Sequence, residues 1–355
     1  MKRILVINPG SISTKLAVFE DEKEKISTTL DYSSEELSKY PTVYSQYNFR
    51  KKTIIDFLKK SCLSPQDFDC VVGRGGLLHP VESGTFVVNE KMKEDMINAR
   101  YGEHASNLGA ILADELTKED EAVAFIVDPV VVDEMVDFAR LSGHPMFKRT
   151  SIFHALNQKA VARYVAKKMG KGYEDCNFVV AHMGGGVSVG THMKGRVVDV
   201  NNALNGDGPF SPERSGTVPT TQLLELCFSG KWTFKQMKKK IKGKGGLVAH
   251  LDTNDVRKVL KMIEAGDEHA RLIFTSLVYQ ISKWICKMAT ILKGEMDAII
   301  LTGGLAHSER LVSLIKERIE FLAPVEVVPG GNEMRALALG ALRALRGEEK
   351  VKHYG

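Results

Sequence analysis

The chain has 355 residues, 43% hydrophobic and 26% charged, with a formal net charge of +5. That length favours two domains with substantial cores, and the composition is that of an ordinary globular protein. The charge is mild, so it suits anionic small molecules as readily as nucleic acid, and the four-residue apolar run before Asn8 is too short for a signal peptide.

Residues 3–31 read as three strands, "RILVI", "TKLAVF" and "EKISTTLDY", with the polar tip "NPGSIS" between the first two. Residues 50–80 read as an amphipathic helix, a linker, a buried strand and a Gly-Gly turn, and "AVAFIVD" (122–128) as a further strand. The order then repeats. Residues 177–200 give "NFVVAH", "VSVGTHM" and "RVVDV" around "MGGG", residues 281–309 repeat helix, strand and Gly-Gly turn, and "VEVVP" (325–329) closes the second half. The expected fold is therefore a duplicated α/β unit, with two similar domains flanking a cleft.

Four strand-end loops, 8–15, 183–188, 302–304 and 329–332, are rich in Gly and small polar residues. Gly lets the backbone approach a ligand and frees successive N–H groups for phosphate oxygens, although any one of these loops also reads as a tight turn. No G-x-x-x-x-G-K-[ST] occurs, and "GGGVSVG" fails G-x-G-x-x-G at Val189, with a strand following where a dinucleotide fold needs a helix.

Several stretches read as structure without chemistry. The apolar segment 272–294, interrupted by Lys283 and Lys287, is a core helix and not a membrane span. The run "KWTFKQMKKKIKGKGG" (231–246) reads as a solvated helix face, so no nucleic-acid partner is expected. Five cysteines without metal-ligand spacing read as reduced core thiols of a cytoplasmic protein. His79 and His307, after the paired Gly-Gly turns, stay ambiguous.

The stretches "NPGSISTK", "IFHALNQKA", "HMGGGVSVG", "NGDGPFSPERSG", "ILTGGLAHS" and "GGNEMRALALGAL" together resemble the butyrate kinases. These are short-chain carboxylate kinases grouped with acetate kinases in the actin, sugar-kinase and chaperone ATPase superfamily, and the resemblance spans residues 4 to about 345. It implies duplicated ribonuclease H-like, actin-like domains. Residues 1–130 with the C-terminal helix 334–355 would form the carboxylate-side domain, and 131–333 the nucleotide-binding domain. It also implies ATP/ADP and Mg²⁺ as cofactors, transfer of phosphate to butyrate, and a homodimer or larger homo-oligomer. Acetate, propionate or sugar-kinase-like phosphotransfer is the alternative.

Residue by residue, the resemblance implies a catalytic set of Asn8, Arg74, Asp128, His154 and Arg214. Ser11, Ser13 and Lys15 match the first phosphate motif, and His182, Gly184, Gly185 and Gly186 the second. Asp255 and Arg257 match a DxR element near the adenosine, Gly303 and Gly304 the adenine-side turn, Asn332 a further nucleotide position, and Glu333, with Asn8, the metal site. Taken alone, His154 also reads as a helix cap, Asp128 as a strand terminus or a sugar kinase's base, and Asn8 as an Asx-turn residue.

The chemistry suits cations. A carboxylate, with a pKa of about 4 to 5, is already ionised at neutral pH and needs no base. It needs relief from repulsion as it approaches a phosphoryl group, which Arg74, Arg214, His154 and Mg²⁺ can supply. The "GGLLHP" after Arg74 places two glycines where acetate kinases carry bulkier residues, and predicts room for a longer acyl tail.

Overall fold

The computed structural model describes residues 1–118 and 121–355. Two compact units emerge, Met1–Val132 with Asn332–Gly355, and Asp133–Gly331. The first sheet contains β1 (Arg3–Pro9), β2 (Ser13–Glu20), β3 (Lys23–Asp31), β4 (Cys70–Arg74), β5 (Thr85–Val87) and β6 (Val123–Val127). The second contains β7 (Asn177–Met183), β8 (Val187–Met193), β9 (Arg196–Val200), β10 (Ala298–Gly303) and β11 (Val325–Pro329), while β12 (Lys352–His353) returns to the first.

Among the described residues the strand orders are β12-β5-β6-β4-β1-β2-β3 and β11-β10-β7-β8-β9. In the first unit β1, β2 and β3 form an antiparallel meander, and β1, β4 and β6 run parallel. In the second, β7, β8 and β9 repeat the meander, and β7, β10 and β11 the parallel set. Even the irregularity recurs, with register shifts at Val18/Phe19 in β2 and Thr191/His192 in β8. The duplication read from the sequence is therefore present strand for strand. The short β5 and β12 are additions that no periodicity could reveal.

Burial explains the strand sequences. The run from Ile4 to Pro9 in β1, and all of β7, are buried, which demands the continuous apolar runs of strands covered on both faces. The edge strand β3 alternates exposed and half-buried positions, as its alternating sequence requires. Helices Tyr47–Lys60 and Asn107–Glu115 belong to the first unit, and Glu268–Ala289 and Glu309–Ile319 to the second. The last helix of each half is exchanged. Ala155–Lys168 follows β6 in the chain but packs on β7 and β10, whereas Glu333–Leu345 follows β11 and packs on β1, β4 and β6.

The C-terminus is tied into the first unit. Tyr354 Oη donates to the buried Asp95 carboxylate at 2.9 Å, and the His79 ring stacks on Tyr354 at 4.3 Å, which gives His79 a structural place. The expected core helix at 272–294 is observed as Glu268–Ala289, burying Ile273, Phe274, Leu277, Ile281 and Ile285. Among the described residues no helix is long and apolar enough to cross a membrane. In the basic run, helix Phe234–Ile241 buries only Met237, and Lys240 Nζ lies 4.1 Å from the Trp232 ring. Its aromatics thus stack against its own lysines.

The cysteine reading needs correction. All five are free thiols, but Cys62 and Cys227 are exposed. Cys62 is just past the Tyr47–Lys60 helix in a left-handed conformation, and Cys227 is on helix Thr220–Phe228, which buries nothing.

One close approach places Arg74. Helix Asn107–Glu115 crosses β4 so tightly that a Cβ on Gly73 would lie 2.1 Å from the Gly109 carbonyl oxygen, and one on Gly109 would lie 2.3 Å from that of Arg74. Gly73→Ala should destabilise the protein by about 3 kcal/mol, the scale of a forced backbone shift. Urea unfolding should show a lower midpoint with an unchanged slope.

Candidate functional site

In the first unit the end of β1 meets the end of β4 and the start of helix Glu333–Leu345. Asn8, 4% exposed, donates from Nδ2 to Glu333 Oε2 at 2.8 Å. Arg74 Nη1 donates to the same Glu333 oxygen at 2.9 Å and to Asn8 Oδ1 at 3.3 Å. The three side chains close a ring in which Glu333 Oε2 accepts twice, Arg74 Nη1 donates twice, and Asn8 donates from Nδ2 and accepts at Oδ1. Among the described residues, Arg74 Nε and Nη2 and Glu333 Oε1 make no hydrogen bond. A half-exposed ion pair contributes at most about 1 kcal/mol, so the ring's effect is orientation and not stability.

The first loop rests on a residue absent from the sequence reading. Arg50, fully buried, donates to the carbonyls of Ser13 (3.0 Å) and Ser11 (3.3 Å) and to Thr14 Oγ1 (3.0 Å). Its guanidinium lies 4.8 Å from the Tyr32 ring centre, and burial pulls its pKa below the ordinary value. Above it Ser11 and Lys15 are exposed and Ser13 is half-buried.

Asp128 takes a left-handed backbone (φ 38°) immediately after β6, the place that Gly330 (φ 87°) takes after β11. Its Oδ1 accepts from Gly84 N–H at 2.8 Å, while its own N–H donates to the Gly84 carbonyl at 3.0 Å. The expectation of room at Gly75 and Gly76 does not survive as stated. A Cβ on Gly75 would meet Pro129 at 2.7 Å, and one on Gly76 would meet Asn107 Oδ1 at 2.4 Å. Packing within the unit already fills both places.

In the second unit, one helical turn brings three polar side chains together. His154 immediately precedes helix Ala155–Lys168 without a side-chain capping bond, and Asn157 and Gln158 follow at i+3 and i+4 on the same face. The His154 and His182 rings stack at 3.9 Å and 12°. Asn157 Nδ2 donates to the Gly331 carbonyl at 2.8 Å, so its Oδ1 must accept the 2.6 Å bond from His182 Nδ1. His182 therefore carries a proton on Nδ1.

The loop Gly184–Gly186 joins β7 to β8 and is clasped by the segment carrying Arg214. Ser211 Oγ and Glu213 N–H donate to the Gly185 carbonyl at 2.7 and 3.1 Å. Arg214 donates to the Ala203 carbonyl, and a Cβ on Gly186 would lie 2.1 Å from its guanidinium. A side chain at Gly186 would therefore displace the Arg214 guanidinium from this position. A Cβ on Gly184 would meet only ordinary contacts and one on Gly304 nothing, so the chain's own packing does not demand those glycines.

The remaining expected positions lie elsewhere. Asp255 caps helix Val256–Glu264 and grips Arg257 through Nε at 2.9 Å and Nη2 at 2.8 Å, a contact that lowers the Asp255 carboxyl to about 2. Gly303 is left-handed (φ 88°) against Met183, and Asn332 (φ 39°) precedes helix Glu333–Leu345 without capping it.

Residues 146–328 match the acetokinase family. Butyrate kinase 1 of Clostridium acetobutylicum is 53% identical over 354 residues, covering all of both chains, and a probable butyrate kinase of Clostridium botulinum is 53% identical over 352 residues, covering 99% of each. The chain belongs to the acetokinase family. The crystal structure of Porphyromonas gingivalis acetate kinase matches this acetokinase-family fold with a TM-score of 0.80 at 19% identity, covering 97% of this chain and 100% of the other. The duplicated actin-like fold expected from the sequence stands, and this acetokinase-family member is a carboxylate kinase that uses ATP and ADP.

What sequence reasoning missed in this acetokinase-family chain is a set of buried groups, the Arg50 cation and the neutral Asn107, Asn157, Gln158 and His192. "IFHALNQKA" held two of them at the spacing of one helix face, which was the available signal. His192 is fully buried beside Lys159, Glu134, Arg163 and Tyr173, and burial, reinforced by the Lys159 ammonium, pushes its imidazole down to about 3. The unfolded chain takes up this proton below about pH 6.5 and the folded protein does not, so stability falls as pH drops, by roughly 1 kcal/mol per unit. Unfolding titrations at successive pH values should show this acid-side slope in the wild type and its reduction in His192→Asn.

Proposed function

We propose that the chain transfers the γ-phosphoryl group of ATP to butyrate, and also to isobutyrate, valerate and related branched short acids, giving an acyl phosphate and ADP. The observation that carries this reading is the Asn8–Arg74–Glu333 ring, which aims a cation whose remaining N–H groups are not spent on protein acceptors. The 53% identity to butyrate kinases supports the acid. Each methylene of the acyl tail contributes about 0.8 kcal/mol when buried, so the enzyme prefers a chain length without excluding its neighbours.

The ionised carboxylate attacks the γ-phosphorus in line, its lone pair forming the new P–O bond as the bond to the ADP oxygen breaks and leaves its electrons there. No proton is abstracted. Arg74 and Arg214 offset the charge spread over the phosphoryl oxygens, and His154 donates a hydrogen bond. The Gly184–Gly186 backbone, His182, Gly303, Gly304, Asn332 and the Asp255–Arg257 pair serve the nucleotide, while Ser11, Ser13 and Lys15 serve the phosphate. The burial of Asp128 and its bond to Gly84 support a positioning role over that of a base.

Among the described residues no group of three or more His, Cys, Asp or Glu could hold a metal ion. One carboxylate beside one amide, Glu333 and Asn8, fits Mg²⁺, which keeps most of its water and binds through one or two carboxylates and substrate phosphates. Glu333, with Oε1 available, and Asn8 would hold it, and it would supply charge neutralisation at the phosphates. The free cysteines support a cytoplasmic location, and the exposed Phe138, Phe147, Leu224 and Phe228 support a homo-oligomer.

A hydroxamate trap with ATP, Mg²⁺ and butyrate should yield acyl phosphate, and no product with any acid of two to six carbons would overturn the reading. Arg74→Ala and Arg214→Ala should each lower kcat/KM by about 10²- to 10³-fold with an intact fold. Near wild-type turnover in either would remove the cationic account.

A further inference from the structure

Behind His154 lies a line of buried hydrogen bonds whose direction can be worked out atom by atom. Gln158 is fully buried, and its Nε2 donates to the Ser188 carbonyl at 3.0 Å and to Ser188 Oγ at 2.8 Å. A carbonyl can only accept, so the orientation of the carboxamide is fixed and both its protons are spent. Its Oε1 must then accept from His192 Nε2, 3.1 Å away. The neutral His192 therefore accepts at Nδ1, from Tyr173 Oη at 2.8 Å.

The other end follows. Ser188, also fully buried, accepts at Oγ from Gln158 and has one hydroxyl proton to place. Among the described residues the acceptor in reach is His154 Nδ1 at 2.8 Å, and an unspent buried hydroxyl proton would forfeit a hydrogen bond. His154 Nδ1 thus accepts, and the ring's proton resides on Nε2. A second observation shows that the chain makes room for this line. A Cβ on Gly190 in β8 would lie 2.6 Å from Gln158 Oε1, so that strand position is glycine where the amide must pass.

We propose that the Tyr173–His192–Gln158–Ser188 line imposes the Nε2–H tautomer on His154, with Gln158 the positioning residue that sets its polarity. The functional consequence rests on the role given to His154 above, since a developing phosphoryl anion requires a donor there and the opposite tautomer presents a lone pair. His182, stacked beside it, is set the opposite way by Asn157 and carries its proton on Nδ1.

The test is ¹⁵N NMR of the full-length protein labelled at histidine, with the His154 signals assigned by their loss in His154→Gln. The wild type should show Nε2–H alone, and a proton on Nδ1 in place of Nε2 overturns the proposal without any variant. In Gln158→Glu the carboxylate accepts at both ends and claims the Ser188 proton, so His154 should switch to Nδ1–H. Turnover should then fall by about 10²-fold, with KM values for ATP and acid nearly unchanged. Persistence of Nε2–H in that folded variant overturns the assignment to Gln158. A switch with unchanged turnover leaves the line standing and removes His154 from the transfer step.

Discussion

Strand ends and the loops that follow them leave backbone groups that the sheet no longer pairs, and in this molecule buried carboxamides satisfy several of them. Asn107 receives Leu77 N–H at 2.9 Å, Asn157 bonds the Gly331 carbonyl, and Asn201 bridges β8 to the following loop by accepting from Val189 N–H at 2.7 Å and donating to the Asp207 carbonyl at 3.0 Å. A carboxamide offers a donor and an acceptor without the desolvation cost of a charge. It also has a sense, so each one fixes which way its neighbours donate. Asn8 follows the same logic between Arg74 and Glu333.

The charges are handled differently. Arg50 is held by the Ser11 and Ser13 carbonyls, the Gln46 amide oxygen and Thr14 Oγ1, Arg214 by the Ala203 carbonyl, and Arg74 by one carboxylate and one amide. Carbonyl partners orient a guanidinium without cancelling its charge. A deeply buried ion pair, Lys159–Glu134 at 2.7 Å, lies in the second unit with Glu134 also receiving Val197 N–H at 2.7 Å. Removing either partner would take a counter-charge away from a buried group, the costly case for such pairs.

The strands and their duplication were legible because both signals are local. Continuous apolar runs mark β1 and β7, and the repeat of meander, helix, strand and Gly-Gly turn needs no knowledge of contacts. The residues matched by family resemblance include several the structure gathers, Asn8 with Arg74 and Glu333, and His154 with His182. What stayed hidden is non-local. Nothing in "YNFRKK" marks Arg50 as a buried support for residues 11–14, and the glycines after Arg74 looked like spare volume until Pro129 and Asn107 were found in it. The exposure of Cys62 and Cys227 was equally unreadable, because it depends on a helix end and a helix with no buried face.

The exchange of terminal helices has a consequence for synthesis. The second unit is a continuous stretch, Asp133–Gly331, and all of it exists before the first unit is complete. The first unit, although its N-terminal segment precedes that stretch, lacks helix Glu333–Leu345, strand β12 and the Tyr354 anchor until residues 332–355 have been made. Glu333, Arg74 and Asn8 can therefore close their ring only after the whole second unit has been synthesised, so a chain that stops before Glu333 retains the N-terminal sheet sequence but never the assembled trio.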